Sequence, residues 1–496
     1  MATLFGMSLY FWLCCILFGV VILLIIHFYI IYTHLNQIPA PPYIPILGHL
    51  LDYADPEEGL KKITRSLIKY GGIIRLYIGP RKPSIAVASK EFIKFLCQNK
   101  KYVGKAKFYQ YLKGWLGEGL ITSDGDKWLS RRKALTASFT STSVLRSFIE
   151  IFEEKTEVLI DVLEKLDNQN VDMHPIMKKF TADVIYETAM GFPLNSQKQL
   201  TNSTYATSIE TICDMVQRRM VSATKQFDFF YHFTKDYQEE KSALRVIDRV
   251  LEDIIKNKKK EKGAQNFNNN KDLLDSMMEL HIDGKRMSSS DLREEVNTFL
   301  FAGYDTTSSA MALALYELAQ NSAIQKKVLM EQRMLMEQSN NTKITYELLN
   351  NMKYLEMVIK ETLRLHTIVP AVGRKVKKDL QFGHIKIPEN LNISVCLHAL
   401  HHNPNYFPEP EKFIPERFAD ENKIDEFTYL PFGVQPRQCL GKNFAMLEMK
   451  TAISKIIRHF EVLKIPGKKL TLKPKLVLYP SSGIWISIRK RHQQSI

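Results

Sequence analysis

Phe432-Gly433-Val434-Gln435-Pro436-Arg437-Gln438-Cys439-Leu440-Gly441 is the stretch on which the reading of this 496-residue chain turns. A lone cysteine is ordinarily inert packing, and that reading suits Cys97, Cys213 and Cys396. Cys439 differs in its setting. A turn-rich Pro-Phe-Gly run precedes it, Arg437 stands two residues before it, and Gly441 opens the helical run 442–459. A helix N-terminus stabilises a thiolate through its dipole and its unpaired N–H groups. A glycine two residues on lets a flat cofactor or a backbone approach closely. Such a thiolate is a candidate proximal ligand for haem iron.

Around this stretch, the composition narrows the field. With 45% hydrophobic and 10% aromatic residues the chain can bury a large core, which excludes a wholly disordered or fibrous protein. The formal charge of +15 suits work beside anionic lipid or an acidic partner. Nucleic-acid binding is disfavoured, because the basic residues are dispersed and no stacking motif accompanies them. Six scattered cysteines make no disulfide framework, and no C-x-x-C pair is present to hold zinc.

No charged residue occurs between Leu4 and Tyr32, 29 residues that as a helix reach roughly 43 Å, more than the ~30 Å hydrocarbon core requires. No basic residue precedes the run, and it is too long for a cleaved signal peptide, so residues 1–35 are expected to be an uncleaved transmembrane signal anchor. The first lysines, Lys61 and Lys62, place the bulk of the chain on the cytoplasmic side, and the sequons at Asn202, Asn340 and Asn392 are discounted as chance matches. Residues 36–48 are proline-rich and should form a semi-rigid extended linker. Residues 49–496 read as one mainly α (α+β) domain. Strands are expected at 73–78 and 84–88, joined by a Gly79-Pro80 turn, and again within 380–387, 391–395 and 476–488. Long amphipathic helices are expected at 144–166, 173–190, 242–259 and 291–321. The lysine run and asparagine cluster at 256–270 read as a solvated loop, and the basic tail 489–492 as solvated too.

Three more constellations stand out. Glu361 and Arg364 lie at i and i+3 on one helix face, and Pro415-Glu416-Arg417-Phe418 supplies a further arginine; alone this is an ordinary surface pair. Trp128 and Arg132 are one helical turn apart, which by itself is an amphipathic edge. In Phe301-Ala302-Gly303-Tyr304-Asp305-Thr306-Thr307 a glycine and two threonines interrupt an otherwise good helix. Local conflict of that kind falls at functional sites; the plain alternative is a packed core helix whose Thr306 back-bonds to a carbonyl.

Together these motifs resemble the cytochrome P450 family of haem-thiolate monooxygenases, and the resemblance runs from the anchor to the C-terminus. The family pattern around the cysteine is Phe-x-x-Gly-x-Arg-x-Cys-x-Gly, met here by Phe432, Arg437, Cys439 and Gly441 but with Gln435 at the glycine position. A Gln held at positive φ would cost ~1–2 kcal/mol, so the loop is either strained or re-registered on Gly433. The resemblance implies a helical bundle around haem b with small sheets, and Cys439 as the iron ligand. It further implies that Trp128, Arg132, Arg374 and Arg437 meet the haem propionates, and that Glu361, Arg364 and Arg417 form a buried structural triad. Ala302 and Gly303 would leave a groove over the haem for dioxygen, Thr306 would hydrogen-bond it, and Asp305 would feed protons through ordered water.

The run 115–128 with Arg131-Arg132-Lys133, the segment 397–404 and the segment 413–418 resemble the fatty-acid ω-hydroxylase branch and its insect relatives. Many of that branch esterify the haem through a glutamate where this chain has Ala302, so no such link is expected. The implied reaction inserts one atom of O₂ into a lipophilic substrate (fatty acid, terpenoid hormone, sterol or xenobiotic). Electrons would come from NADPH through cytochrome P450 reductase, with cytochrome b5 as a further partner. The implied location is the endoplasmic reticulum membrane, single-pass. Lys442, Arg437 and the lysines between 256 and 262 are the candidate reductase contacts. The alternatives are a haem-thiolate isomerase or dehydratase, against which the Asp305-Thr306 pair speaks, and a non-catalytic lipid- or sterol-binding membrane protein, for which Gln435 is the support.

Overall fold

The computed structural model describes residues 11–23, 26, 35–44, 47–53, 55–78, 83–100, 103–199, 204–222, 224–263, 272–282, 284–339 and 343–491. Its contacts divide the chain into two compact units, Met1–Ala106 with Gly373–Val395, and Lys107–Val372 with Cys396–Ile496.

The first unit is built on a five-stranded sheet of β1 (Ile73–Leu76), β2 (Ser84–Val87), β3 (Val103–Lys105), β5 (Ala371–Val376) and β6 (Asn392–Cys396), in the order β1-β2-β6-β5-β3. β1 and β2 pair antiparallel with Ile73 opposite Val87, while β6 runs parallel to β2 with Ile393 opposite Ile85. Ile74, Leu76, Ile85, Val87 and Ile393 are buried, and α1 (Pro56–Lys69) contributes Leu67 to the buried set. α1 starts where the residues direct it to: Asp55 caps the Glu57 N–H and Pro56 occupies the first turn. The Gly79-Pro80 turn lies outside the described residues. The expected strand 380–387 is a hairpin of Leu380–Phe382 and Ile385–Ile387.

The second unit is helical. It contains α2 (Gly125–Thr140), α3 (Thr142–Glu164), α4 (Met173–Met190), α5 (Thr204–Val221), α6 (Lys235–Gly263), α7 (Ser289–Gln320), α8 (Ser322–Ser339), α9 (Lys353–Leu365) and α10 (Lys442–His459), with a small sheet of β4 (Asn170–Asp172), β7 (Phe460–Leu463) and β8 (Trp485–Lys490). α7 is its axis. A capping box between Ser288 and Asp291 starts it, and it packs against α4 and α10. Burial on most of its faces overrides the weak propensity of Gly303, Thr306 and Thr307, since tertiary packing outweighs a few tenths of a kcal/mol per residue.

Two expectations change here. The lysine run is not a loop: α6 continues to Gly263, because lysines are good helix formers, and Lys258 is buried between Asp272 and Asp275. The asparagine cluster that follows lies outside the described residues. Of the expected anchor, residues 11–23 are helical with Phe11, Trp12, Leu17 and Leu23 exposed. Much of the remainder lies outside the described residues, and among those described no helix is long and apolar enough to cross a membrane.

Candidate active site

The Cys loop turns on Gly433, whose φ is +70°, and the Cys439 N–H closes it by donating to Phe432 O at 2.8 Å. Gln435 does not take a left-handed conformation. Among the described non-glycine residues only Asn168, Asn195, Asn390 and Glu409 do. The Gln435 side chain is exposed and donates to Gln438 Oε1 at 3.2 Å. The glycine missing from position 435 therefore leaves no backbone strain, since Gly433 carries the turn.

Arg437 clasps this loop to the start of α2. Its guanidinium donates to Ser123 O and to Asp124 Oδ1, each at 2.9 Å, and lies 3.7 Å from the Trp128 ring centroid. Asp124 is itself the cap of α2, so one carboxylate serves both the helix start and the clasp. Arg132 follows Trp128 by one turn. It is half-buried and, among the described residues, has no carboxylate partner. Burial lowers its pKa, and the facing Cys439 sulfur opposes that shift.

Burial pushes the Cys439 thiol up, while the Gly441 N–H and Arg132 pull it back toward the thiolate. The side chain nonetheless keeps accessible surface, although protein surrounds it closely enough to desolvate it. A Cβ added at Gly441, which caps α10, would meet nothing within 4 Å. A thiol beside a helix start, a glycine opening on empty space and an uncompensated guanidinium form a donor set that fits a flat, iron-bearing macrocycle with carboxylate substituents.

On α7 the burial pattern breaks at the motif. Ala302, Gly303, Asp305 and Thr306 are only half-buried, although the helix is buried on either side of them, and Phe301 packs edge-on against Trp115 at 4.8 Å. Thr306 Oγ1 donates to Ala302 O at 2.7 Å. The Asp305 carboxylate points to α4, where it lies 3.2 Å from Lys178 Nζ. Gly303 serves helix packing: a Cβ there would lie 2.7 Å from Ile185 Cδ1 on α4. Arg374 sits on β5 in the first unit, where it donates to Gly373 O at 2.9 Å.

Glu361, Arg364 and Arg417 come together in one network, with Glu361 and Arg364 fully buried and Arg417 half-buried at its edge. Glu361 accepts from Arg364 Nε and Nη2 at 2.7 and 2.9 Å, from Arg417 Nε at 3.2 Å and from Ile414 N at 2.9 Å. Arg364 donates onward to the carbonyls of His401, Pro410 and Lys412. His401 extends the network toward the Cys loop, with Nδ1 against Thr367 Oγ1 and Nε2 accepting from Leu430 N, both at 2.9 Å.

Three groups escaped sequence reasoning. Lys178, within the run 173–190, is buried beside Asp305. Glu448 on α10 is fully buried against the Thr307 hydroxyl, neither of its oxygens is well hydrogen-bonded, and burial pushes its pKa up to about 8. His398, His401 and His402 are buried together and held neutral. The one signal available was a charged or polar residue interrupting an apolar helical stripe, which surface helices also show.

The sequence profile of the cytochrome P450 family matches residues 38–487. Cytochrome P450 4d2 of Drosophila melanogaster is 33% identical over 476 residues, covering 92% of this chain and 94% of its own. Cytochrome P450 4V2 of Mus musculus is 35% identical over 472 residues, covering 90% and 89%. The Homo sapiens 4V2 protein is 35% identical over 468 residues, covering 90% and 88%.

Proposed function

The chain belongs to the cytochrome P450 family and is a haem-thiolate monooxygenase; from that premise we propose that Cys439 is its iron ligand and that its substrate is a fatty acid, terpenoid hormone, sterol or xenobiotic. The observation that carries the proposal is the desolvated Cys439 sulfur facing Arg132 and the open side of Gly441. Haem, when bound, supplies the activation of dioxygen, helped by the electron density a thiolate donates. The work of this chain's own residues is to hold, orient and protonate. The α10 N-terminus and Arg132 favour the ionised sulfur. Arg132 and Trp128 would meet the propionates; Arg374 is offered for the same role on the family resemblance alone. Arg437 holds the Cys loop against the start of α2 through Ser123 and Asp124. Thr306 holds a hydroxyl at the reacting face once it turns from Ala302 O, and Asp305 feeds protons.

Electrons come from NADPH through cytochrome P450 reductase, with cytochrome b5 as a second donor. Lys442, exposed at the start of α10, is the residue best placed to meet an acidic partner face. Arg437 and Lys258 are committed to internal carboxylates and are withdrawn as docking contacts. Residues 1–35 anchor the protein in the endoplasmic reticulum membrane, 36–48 form the linker, and 49–496 face the cytoplasm. The carbon monoxide difference spectrum of reduced membranes tests the site. A strongly red-shifted Soret band is expected for wild type and is lost in Cys439→Ser; a wild-type band at the position of a neutral ligand sinks the assignment. Type I spectral shifts with lauric acid, farnesol and a sterol then rank the substrate classes.

A further inference from the structure

α4 buries a lysine in the middle of the second unit. Lys178 Nζ lies 2.5 Å from Glu210 Oε1 on α5 and 3.2 Å from Asp305 Oδ1 on α7, with its side chain 8% exposed. A buried ammonium is tolerated only when paired. Burial alone would lower the pKa of Lys178; Asp305, Tyr304 and Glu210 reverse that and raise it above the ordinary lysine value. The Tyr304 and Tyr479 rings close in at 5.5 and 5.9 Å. The remaining ionisable groups around the cluster are His174 on α4, Cys213 and Asp214 on α5, and Lys475, which is paired with Asp214. Of these, all but Tyr304 and His174 line a cleft of about 70 Å³. The two carboxylates are unequal: Glu210 lies at the rim, 41% exposed, and Asp305 lies deeper, at 20%.

We propose that Lys178 is the positioning residue for Asp305: one ammonium anchored on α4 that holds the α7 carboxylate on the α4 side and ties α5 to both helices through Glu210. The proposal rests on the reading of Asp305 as the proton-feeding residue. Monooxygenation, RH + O₂ + 2 e⁻ + 2 H⁺ → ROH + H₂O, and peroxide release, O₂ + 2 e⁻ + 2 H⁺ → H₂O₂, consume the same electrons and protons, so the timing and place of protonation decide between them. An Asp305 released from Lys178 delivers protons late, and electrons from NADPH then leave as peroxide. The structural half of the proposal has its own reporter. Cys213 lines the same cleft, and burial raises its thiol pKa, which keeps it unreactive.

The experiment uses the haem-loaded full chain in membranes with its reductase. It follows maleimide labelling of Cys213 by peptide mass spectrometry, and peroxide released per NADPH oxidised, a ratio readable with or without substrate. Lys178→Met is expected to speed Cys213 labelling about tenfold, as loss of a charged buried bond allows, and to raise the peroxide ratio. Lys178→Arg should restore both. Glu210→Gln should speed labelling and leave the ratio unchanged; Asp305→Asn should raise the ratio and leave Cys213 protected. Lys178→Met with protected Cys213 and a wild-type ratio overturns the proposal. If that variant loses haem, Glu210→Gln decides, and slow Cys213 labelling in it overturns the tie. A wild-type ratio in Asp305→Asn overturns the proton reading itself, and with it the positioning role, while labelling still reports the three-helix tie.

Discussion

Replacing Glu361 with alanine removes the acceptor of four hydrogen bonds at once, two from Arg364, one from Arg417 and one from the Ile414 N–H. Glu361 and Arg364 are both 0% exposed, so no water reaches the guanidinium left behind. Arg364 keeps three carbonyl acceptors, at His401, Pro410 and Lys412, but loses its counter-charge. Truncating one partner of a buried pair costs ~3–5 kcal/mol, against ~5–15 kcal/mol for the stability of a whole domain. At about 1.4 kcal/mol per factor of ten, the native population falls by roughly two to three and a half powers of ten. The loss falls on the segment 401–417, whose next anchor is His401 holding Leu430 ahead of the Cys loop. The expected phenotype is therefore loss of haem before loss of the helices. The assay is the carbon monoxide difference spectrum per unit of expressed chain, with thermal denaturation by circular dichroism. Glu347→Ala is the control: its pair with Arg146 is over half exposed on both sides and is worth at most ~1 kcal/mol. A Glu361→Ala protein with full haem content and an unchanged melting temperature would refute the reasoning.

Other perturbations give sharper local tests. His402 is held down to about 4 by burial, and His398 and His401 lie well below the ordinary imidazole value for the same cause. The unfolded chain binds more protons than the native one below ~6.5, so stability falls as pH drops from 6.5 toward 4, and His402 alone accounts for roughly 2 kcal/mol by pH 5. Melting temperatures between pH 7 and 5 should show that slope, and His402→Asn should reduce it by its own share while His398 and His401 keep the rest. Gly303→Ala drives a methyl to 2.7 Å from Ile185 Cδ1 and should cost ~1–3 kcal/mol, recovered in part by adding Ile185→Ala; equal melting of the single and double variants would count against the contact. Gly433→Ala, at φ +70°, should lose ~1–2 kcal/mol and part of the haem signal. Gln435→Gly should bring no gain, and a marked rise in haem occupancy would show that position 435 is the strained one after all.

What could be read from the chain was what each segment states about itself. The helix at 173–190 was legible to its boundaries from its own periodicity, and Cys439 from the turn before it and the helix after it. Partners were not legible. The clasp joins residues 313 apart, Glu361 and Arg417 are separated by 56, and Lys178 takes its two carboxylates from two other helices. The lysine run misled because its composition suits water and helix alike; Asp272 and Asp275 decided in favour of the helix by burying Lys258. Gly303 looked like room for a ligand and proved to be room for Ile185, since a missing side chain does not announce which neighbour it admits.

The Arg437 clasp also imposes an order on the molecule's manufacture. Asp124 is synthesised 313 residues before the arginine that covers it, which at ~5–20 residues per second is roughly 15–60 s. Throughout that interval the α2 wall, with the apolar face of Trp128, exists without its lid, and the thiol loop has nothing to close against. The clasp is thus closed only after Arg437 has been made. A chain that stalls or is cut before Arg437 is left with α2 and α7 made and the Trp128 ring without the guanidinium that covers it.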